Sequence, residues 1–298
     1  MAFEPPQRLE RALGEPPGSA QDAQWLERLP RLAQEAAARR GVAVLRAQAP
    51  GGRSSLVLLV AYPDGTPAVL KLAPPSAGPA LEQAALAHWG GFGAVRLLDT
   101  RHDDGALLLE RLQPEVSLRS LPETKAVLEA AGTIRRLWVA PAPGHPFESV
   151  ADRTARQALA MAEADETAQP LVRVALAIRE ELTALPGEEF LLHGNFRQGK
   201  VLAGTRAPWL TVGPEPLVGE RAYDLARLVR DRLEDQVASS AGAAGARRRV
   251  NRLADSLELD RDRLRGWTLF RAVESGTRAL AAGRRRDAEL LLEFAGWL

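Results

Sequence analysis

Three stretches of this chain place reactive side chains where a backbone could aim them. Lys71 stands inside the apolar run Ala68-Val-Leu-Lys-Leu72. A lysine buried in such a run needs an anionic partner, whereas one on an edge strand simply points to water. The segment Pro50-Gly51-Gly52-Arg53-Ser54-Ser55 precedes it. Paired glycines let backbone N–H groups approach phosphate oxygens, although Gly-Gly is also an ordinary hairpin turn. The third stretch, Leu191-Leu-His-Gly-Asn-Phe-Arg-Gln-Gly-Lys-Val-Leu202, brings His193, Asn195 and Lys200 close together. Lysine is scarce here: of 39 basic residues only Lys71, Lys125 and Lys200 are lysine. Such scarcity suits positions that need a compact ammonium, and chance produces it equally well.

The elements that must hold these residues fall into two groups. Residues 1 to about 22, with two Pro-Pro pairs, read as an irregular lead-in. Residues 24–40 follow helical spacing through Trp25, Leu29, Leu32 and Ala36. Strands are expected over 42–48, 55–62 and 67–73, the last two joined through Pro63-Asp64-Gly65-Thr66. Asp-Gly between strand-like runs is a strong hairpin signal. A helix over about 80–89 and strands over about 94–99 and 106–112, around Asp103-Asp104-Gly105, complete a small antiparallel β unit spanning 23–112. The remainder, 113–298, is mainly helical. Ser120 and Glu123 have capping-box spacing for a helix reaching about Trp138. Further helices are expected over 150–165, 168–185 and from Arg221 onward, with a small-residue loop over 239–245. A strand-rich island covers 190–193, 200–203 and 209–212. The fold class is therefore α+β, a small antiparallel β lobe followed by a large helical one.

The 191–202 stretch, with Ala207-Pro-Trp-Leu-Thr-Val-Gly-Pro-Glu-Pro-Leu-Val-Gly-Glu-Arg-Ala-Tyr-Asp-Leu-Ala226, resembles the aminoglycoside/hydroxyurea phosphotransferase family, which includes streptomycin 6-kinase. Trp89–Leu98, Ala106–Leu112 and the Trp25-Leu26 and Leu29-Pro30 pairs are also similar, in the same order. The resemblance implies a two-lobed protein-kinase-like fold. It implies that Lys71 pairs with Glu82 and holds ATP phosphates, with Gly51, Gly52, Ser54, Ser55, Glu110, Leu112 and Lys200 around the nucleotide. His193 would support the catalytic loop, and Asp224 would brace it structurally.

The departures matter most. Asn195 stands at the family's catalytic Asp, Lys200 at its metal-binding Asn, and Gly213 at its metal-binding Asp. An amide cannot take a proton, and general-base help is worth about 10²–10⁴ in rate. Magnesium requires hard oxygen ligands. The family set has two formal negative charges; Asn195, Lys200 and Gly213 together carry one positive charge. Mg²⁺ binding is therefore expected to be weak or absent. Lys200 then either stands near nucleotide phosphates as a point charge or points to solvent.

Three readings follow: a pseudokinase that binds a nucleotide or another small ligand, a working kinase that recruits Glu215 and Asp224, or a protein-interaction module. The run Arg284-Arg285-Arg286 and the arginines at 247–249 disfavour a cationic sugar and leave room for an anionic ligand or an acidic protein partner. No motif combining aromatic and basic residues speaks for nucleic acid, and the net charge of +1 adds no field for it. The longest apolar run, Leu56 to Tyr62, is too short to cross a bilayer. The lack of cysteine excludes disulfides and thiolate metal sites and fits a cytoplasmic protein.

Overall fold

The computed structural model describes residues 5–14, 19–99, 104–185, 187–238 and 240–298. The chain divides into two compact units, one formed by Met1–Pro114 with Ala203–Val212, the other by Glu115–Leu202 with Gly213–Leu298.

The first unit contains α1 (Gln7–Gly14), α2 (Ala20–Arg39), β1 (Ala43–Ala47), β2 (Leu56–Ala61), β3 (Pro67–Leu72), α3 (Pro79–Trp89) and β4 (Ala106–Glu110). The four strands form one antiparallel sheet in the order β1-β2-β3-β4. The expected hairpin turn is present. Asp64 Oδ1 accepts from the Thr66 backbone N–H at 2.9 Å, and Gly65 takes the left-handed φ of 84° that Asp-Gly turns exploit. Leu29, Ala33, Ala36 and Ala37 lie on one stripe of α2 and pack on Leu56, Leu58, Val60, Leu70 and Leu108. Ser19 caps that helix, its Oγ accepting from the Asp22 N–H at 3.0 Å. Arg40 ties helix to sheet through Asp99, the Asp104 carboxylate and the Ala106 carbonyl.

Two expectations for this unit change. The irregular lead-in contains α1, because Leu9 and Leu13 find an apolar surface to cover, Leu9 being fully buried. The strand expected over 94–99 reduces to isolated bridges, Ala94 with Thr211 and Leu97 with Leu109. Gly91 and Gly93, both with positive φ, turn the chain just before it. Of the Asp103-Asp104-Gly105 turn, Asp103 lies outside the described residues.

Three short strands occur near the unit boundaries in sequence: β5 (Gln113–Ser117), which sequence patterning misses, β7 (Val201–Ala203) and β8 (Trp209–Thr211). The second unit has α4 (Glu123–Arg135), α5 (Val150–Ala162), α6 (Gln169–Thr183), β6 (Phe190–Leu192), β9 (Leu217–Gly219), α7 (Arg221–Val229), α8 (Leu233–Ala238), α9 (Gly242–Leu257), α10 (Arg261–Ala281) and α11 (Arg285–Ala295). Helix α10 is its central post. Trp267 meets Tyr223 and Phe270 edge-on at 5.2 and 5.8 Å, within the preferred range for aromatic pairs. β6 and β9 pair antiparallel with Leu192 opposite Leu217, which fixes where the following loop leaves the sheet.

The capping box expected at Ser120 and Glu123 does not form. The N-cap is Pro122, which has no side-chain donor or acceptor to offer, and Ser120 Oγ instead donates to the Ser117 carbonyl. That helix stops at Arg135, short of Trp138. The small-residue loop expected over 239–245 shrinks, because α9 already starts at Gly242; Ser239 lies outside the described residues.

Candidate functional site

In the first unit, Lys71 on β3 sits opposite Val57 and Leu107 in the sheet. Its Nζ donates to Glu82 Oε2 on α3, with little of either side chain exposed. A buried charge is tolerable only when it is paired, so β3 and α3 hold an ammonium ready beside a carboxylate. The Gly51-Gly52 loop packs against the start of the chain. Gly51 has φ 78°, and a Cβ there would approach Pro6 Cβ at 3.0 Å. Ser54 is exposed and Ser55 buried. Glu110 is occupied by Arg206, a residue sequence reasoning missed: Oε1 accepts from Nη2 at 2.6 Å and from the Arg96 N–H at 2.8 Å. Leu112 is buried, and a Cβ at Gly204 would lie 3.2 Å from its side chain.

In the second unit, β6 delivers the chain into the 193–195 turn. Gly194 has φ 71°, and a Cβ there would fall 1.9 Å from the Glu215 carbonyl oxygen, so only glycine fits. The Glu215 N–H donates to the His193 carbonyl at 2.9 Å, locking the two segments together. Asp224, fully buried in the first turn of α7, accepts from the backbone N–H groups of His193 at 2.9 Å and Gly194 at 2.8 Å. Burial pushes its carboxyl up, while those donors and the Arg271 charge pull it down; the net direction is upward. From the other side Arg271 on α10 donates to the Gly194 carbonyl at 2.8 Å and to the Tyr223 carbonyl at 3.0 Å. Nothing in the sequence marked Arg271 except an arginine set within the run Trp267 to Val273.

The side chains on this frame are an amide, an imidazole, a carboxylate and an ammonium. Asn195 is buried, and its Nδ2 donates to Glu215 Oε1 at 2.5 Å, while its Oδ1 has no hydrogen-bond partner among the described residues. His193 is fully buried, edge-on to Phe196 at 5.7 Å, and its Nδ1 accepts from the Asn195 N–H at 3.3 Å. Glu215 reaches solvent yet has protein closely around it. That surrounding would raise its carboxyl, but Lys200, Arg227, Arg271 and the Asn195 amide hold it below the ordinary value, so it is ionised at neutral pH. Lys200 Nζ donates to the Gly213 carbonyl at 2.8 Å. Gly213 has φ 62°, and a Cβ there would lie 2.6 Å from that ammonium. Lysine thus fills the volume a side chain at 213 would need.

The Lys200 ammonium stands where a side chain at 213 would be, and an ammonium is not among the oxygen donors that magnesium takes.

The sequence of residues 40–283 matches the model of the aminoglycoside/hydroxyurea antibiotic resistance kinases. The chain belongs to this family. A streptomycin 6-kinase of Streptomyces glaucescens is 35% identical to it, across 84% of this chain and 83% of that one. A hydroxyurea phosphotransferase of Kitasatospora aureofaciens is 36% identical, across 94% and 83%. Among solved structures, aminoglycoside phosphotransferase APH(4)-Ia aligns with a TM-score of 0.62 over 89% of this chain and 97% of its own, at 17% identity. A variant of that enzyme has been solved with ADP and hygromycin B. A choline kinase of Streptococcus pneumoniae aligns with a TM-score of 0.61 over 89% and 98%, at 10% identity. The protein thus has the kinase-like fold of this group.

Proposed function

We propose that this kinase-family protein binds a nucleotide through Lys71 and Glu82 but transfers phosphate poorly, because its metal and base positions have been rebuilt. The observation that carries this reading is the Lys200 ammonium on the Gly213 carbonyl. In a magnesium-dependent kinase the ion bridges the phosphates and neutralises developing charge. Here a fixed monovalent cation sits at that position in the motif, beside an amide in place of the catalytic carboxylate. The Lys200 ammonium, held on the Gly213 carbonyl, offers a fixed positive charge, which suits metal-independent binding of a nucleotide or another polyanion. Asn195 Oδ1 is buried with its acceptor capacity unused among the described residues. No helix among the described residues is long and apolar enough to cross a membrane.

Thermal unfolding with ATP, measured with and without Mg²⁺, tests the reading. A rise in midpoint that is indifferent to Mg²⁺ and lost in Lys71→Met supports it. A rise that requires Mg²⁺, with turnover of ATP onto a small alcohol, refutes it.

One observation favours a second reading, an active small-molecule phosphotransferase of the kind its relatives are named for. Glu215 is an ionised carboxylate hydrogen-bonded to the Asn195 amide, and a carboxylate next to the catalytic-loop position is the group a general base requires. Turnover that Glu215→Gln abolishes, without a change in nucleotide binding, would establish it.

A further inference from the structure

The second unit contains a cavity of about 410 Å³ that the nucleotide reading does not use. Its size falls within the range of small-molecule sites. Seven arginines and four carboxylates line it, and no lysine or histidine. The arginines come from separate elements: Arg119 from the short helix Leu118–Ser120, Arg197 from the catalytic-loop segment, Arg227 and Arg230 from the end of α7, and Arg278 from α10. Convergence of this kind is not the solvated face of one helix.

Two of these arginines have no carboxylate hydrogen-bonded to them, Glu215 and Glu274 favouring their charges only at longer range. Arg227 makes no hydrogen bond or ion pair among the described residues; the carboxylate that favours its charge at longer range is Glu215. Arg230 donates only to neutral groups, the Arg271 carbonyl at 3.1 Å and Ser275 Oγ at 3.0 Å. Two of the four lining carboxylates are already engaged, one of them by a lining arginine. Asp231 accepts from the Gln198 N–H at 2.5 Å, and Asp287 pairs with Arg284 at 3.1 Å. The strain of the cluster shows in its acidity. Burial, together with the charges of Arg271, Arg197 and Arg278, lowers Arg227 to about 10, and burial with Arg227, Arg271 and Arg278 lowers Arg230 well below its ordinary value. Guanidinium groups that lose water and repel one another gain most from an oxyanion, which takes their hydrogen bonds in forked pairs and cancels the repulsion.

We infer that this arginine-lined cavity is an anion site, and that it takes a small molecule bearing a phosphate or similarly multivalent oxyanion group. The inference uses no residue of the unit that holds Lys71 and survives if the nucleotide reading fails. It selects against polycations: a charged aminosugar entering here would meet Arg119, Arg197, Arg227, Arg230 and Arg278 with few free carboxylates.

Pyrophosphate is a suitable probe, because it has the charge and lacks a nucleoside. Its effect on the unfolding midpoint is measured at constant ionic strength against chloride, with streptomycin as the polycationic control. The site predicts a saturable rise of about 5 °C when pyrophosphate is near a hundred times its Kd. It predicts at least tenfold weaker binding in Arg227→Gln, the same direction in Arg119→Gln on a different element, and full retention in Lys71→Met. Streptomycin should give no saturable rise. The inference is overturned if pyrophosphate acts no differently from chloride. It is also overturned if both arginine variants bind as the parent does, or if Lys71→Met removes the effect, which would assign the anion to the nucleotide half.

Discussion

Replacing Gly213 by aspartate, alone and together with Lys200→Asn, tests the proposal that Lys200 keeps magnesium out. At φ 62° the new side chain takes a left-handed backbone, which costs about 1 kcal/mol for a residue as tolerant as aspartate. Its Cβ also lands 2.6 Å from the Lys200 ammonium, so lysine must move and will pair with the new carboxylate. A divalent ion held by that carboxylate would sit about 4 Å from the ammonium. Two unit charges at this distance interact by about 4 kcal/mol at an effective dielectric near 20, so a divalent ion is opposed by about 8 kcal/mol before solvent weakens the field. Even about a quarter of that, about 2 kcal/mol, is about 30-fold in affinity. Gly213→Asp alone should therefore leave the ATP-induced midpoint shift independent of Mg²⁺, and the double variant should make it Mg²⁺-dependent. The assay is a thermal-shift titration of Mg²⁺ at fixed ATP for all four members of the cycle. If the single variant gains the same Mg²⁺ dependence as the double, Lys200 is not the obstacle and the electrostatic account fails.

Asp224→Ala should lower the unfolding midpoint markedly, because it strands two buried N–H groups at about 1–3 kcal/mol each; circular dichroism melting checks this, and a change within error removes Asp224 as the brace of the loop. Lys71→Met leaves Glu82 buried without its cation and should destabilise the protein by about 3 kcal/mol; in denaturant titrations Lys71→Met with Glu82→Gln should recover much of that loss. Asp104 is held below its ordinary value: burial works to raise it, but the Arg40 hydrogen bonds and charge win. A lowered carboxyl contributes stability that is fully present above the unfolded value near 3.8 and is lost as pH falls through the folded one. Asp104→Asn should therefore lower the midpoint at pH 7, and the difference from the parent should shrink as pH falls below 3.8 and vanish below the lowered folded value; a difference that does not shrink on acidification would mean the loss is packing rather than charge.

Local chemistry explains which parts of this molecule could be read from its sequence. The Asp64-Gly65 hairpin, the α2 stripe and the start of α7 all depend on neighbours in sequence, and the structure has them. Lys71 in an apolar run left open an anionic partner or an edge position facing water, and in the structure its ammonium donates to Glu82. β5 and β9 have little alternation, and their partners come from distant segments, so nothing local announced them. Ser120 had the right spacing for a cap, but Pro122 took the N-cap and left the hydroxyl to the Ser117 carbonyl. The replaced residues 195, 200 and 213 were legible as a change in chemistry. That Lys200 would lie on the Gly213 carbonyl, and Glu215 against Asn195, depended on how two segments more than ten residues apart interlock.

The contact between Gly194 and the Glu215 carbonyl has a consequence for engineering. Two chain segments share one seam with no slack in it, and neither can slip in register past the other. Side chains may be exchanged on this seam while the backbone beneath keeps its place. Residues 195, 200 and 213 can therefore be exchanged without an insertion, which makes the protein a scaffold for asking, one position at a time, what each side chain contributes to ligand binding and turnover.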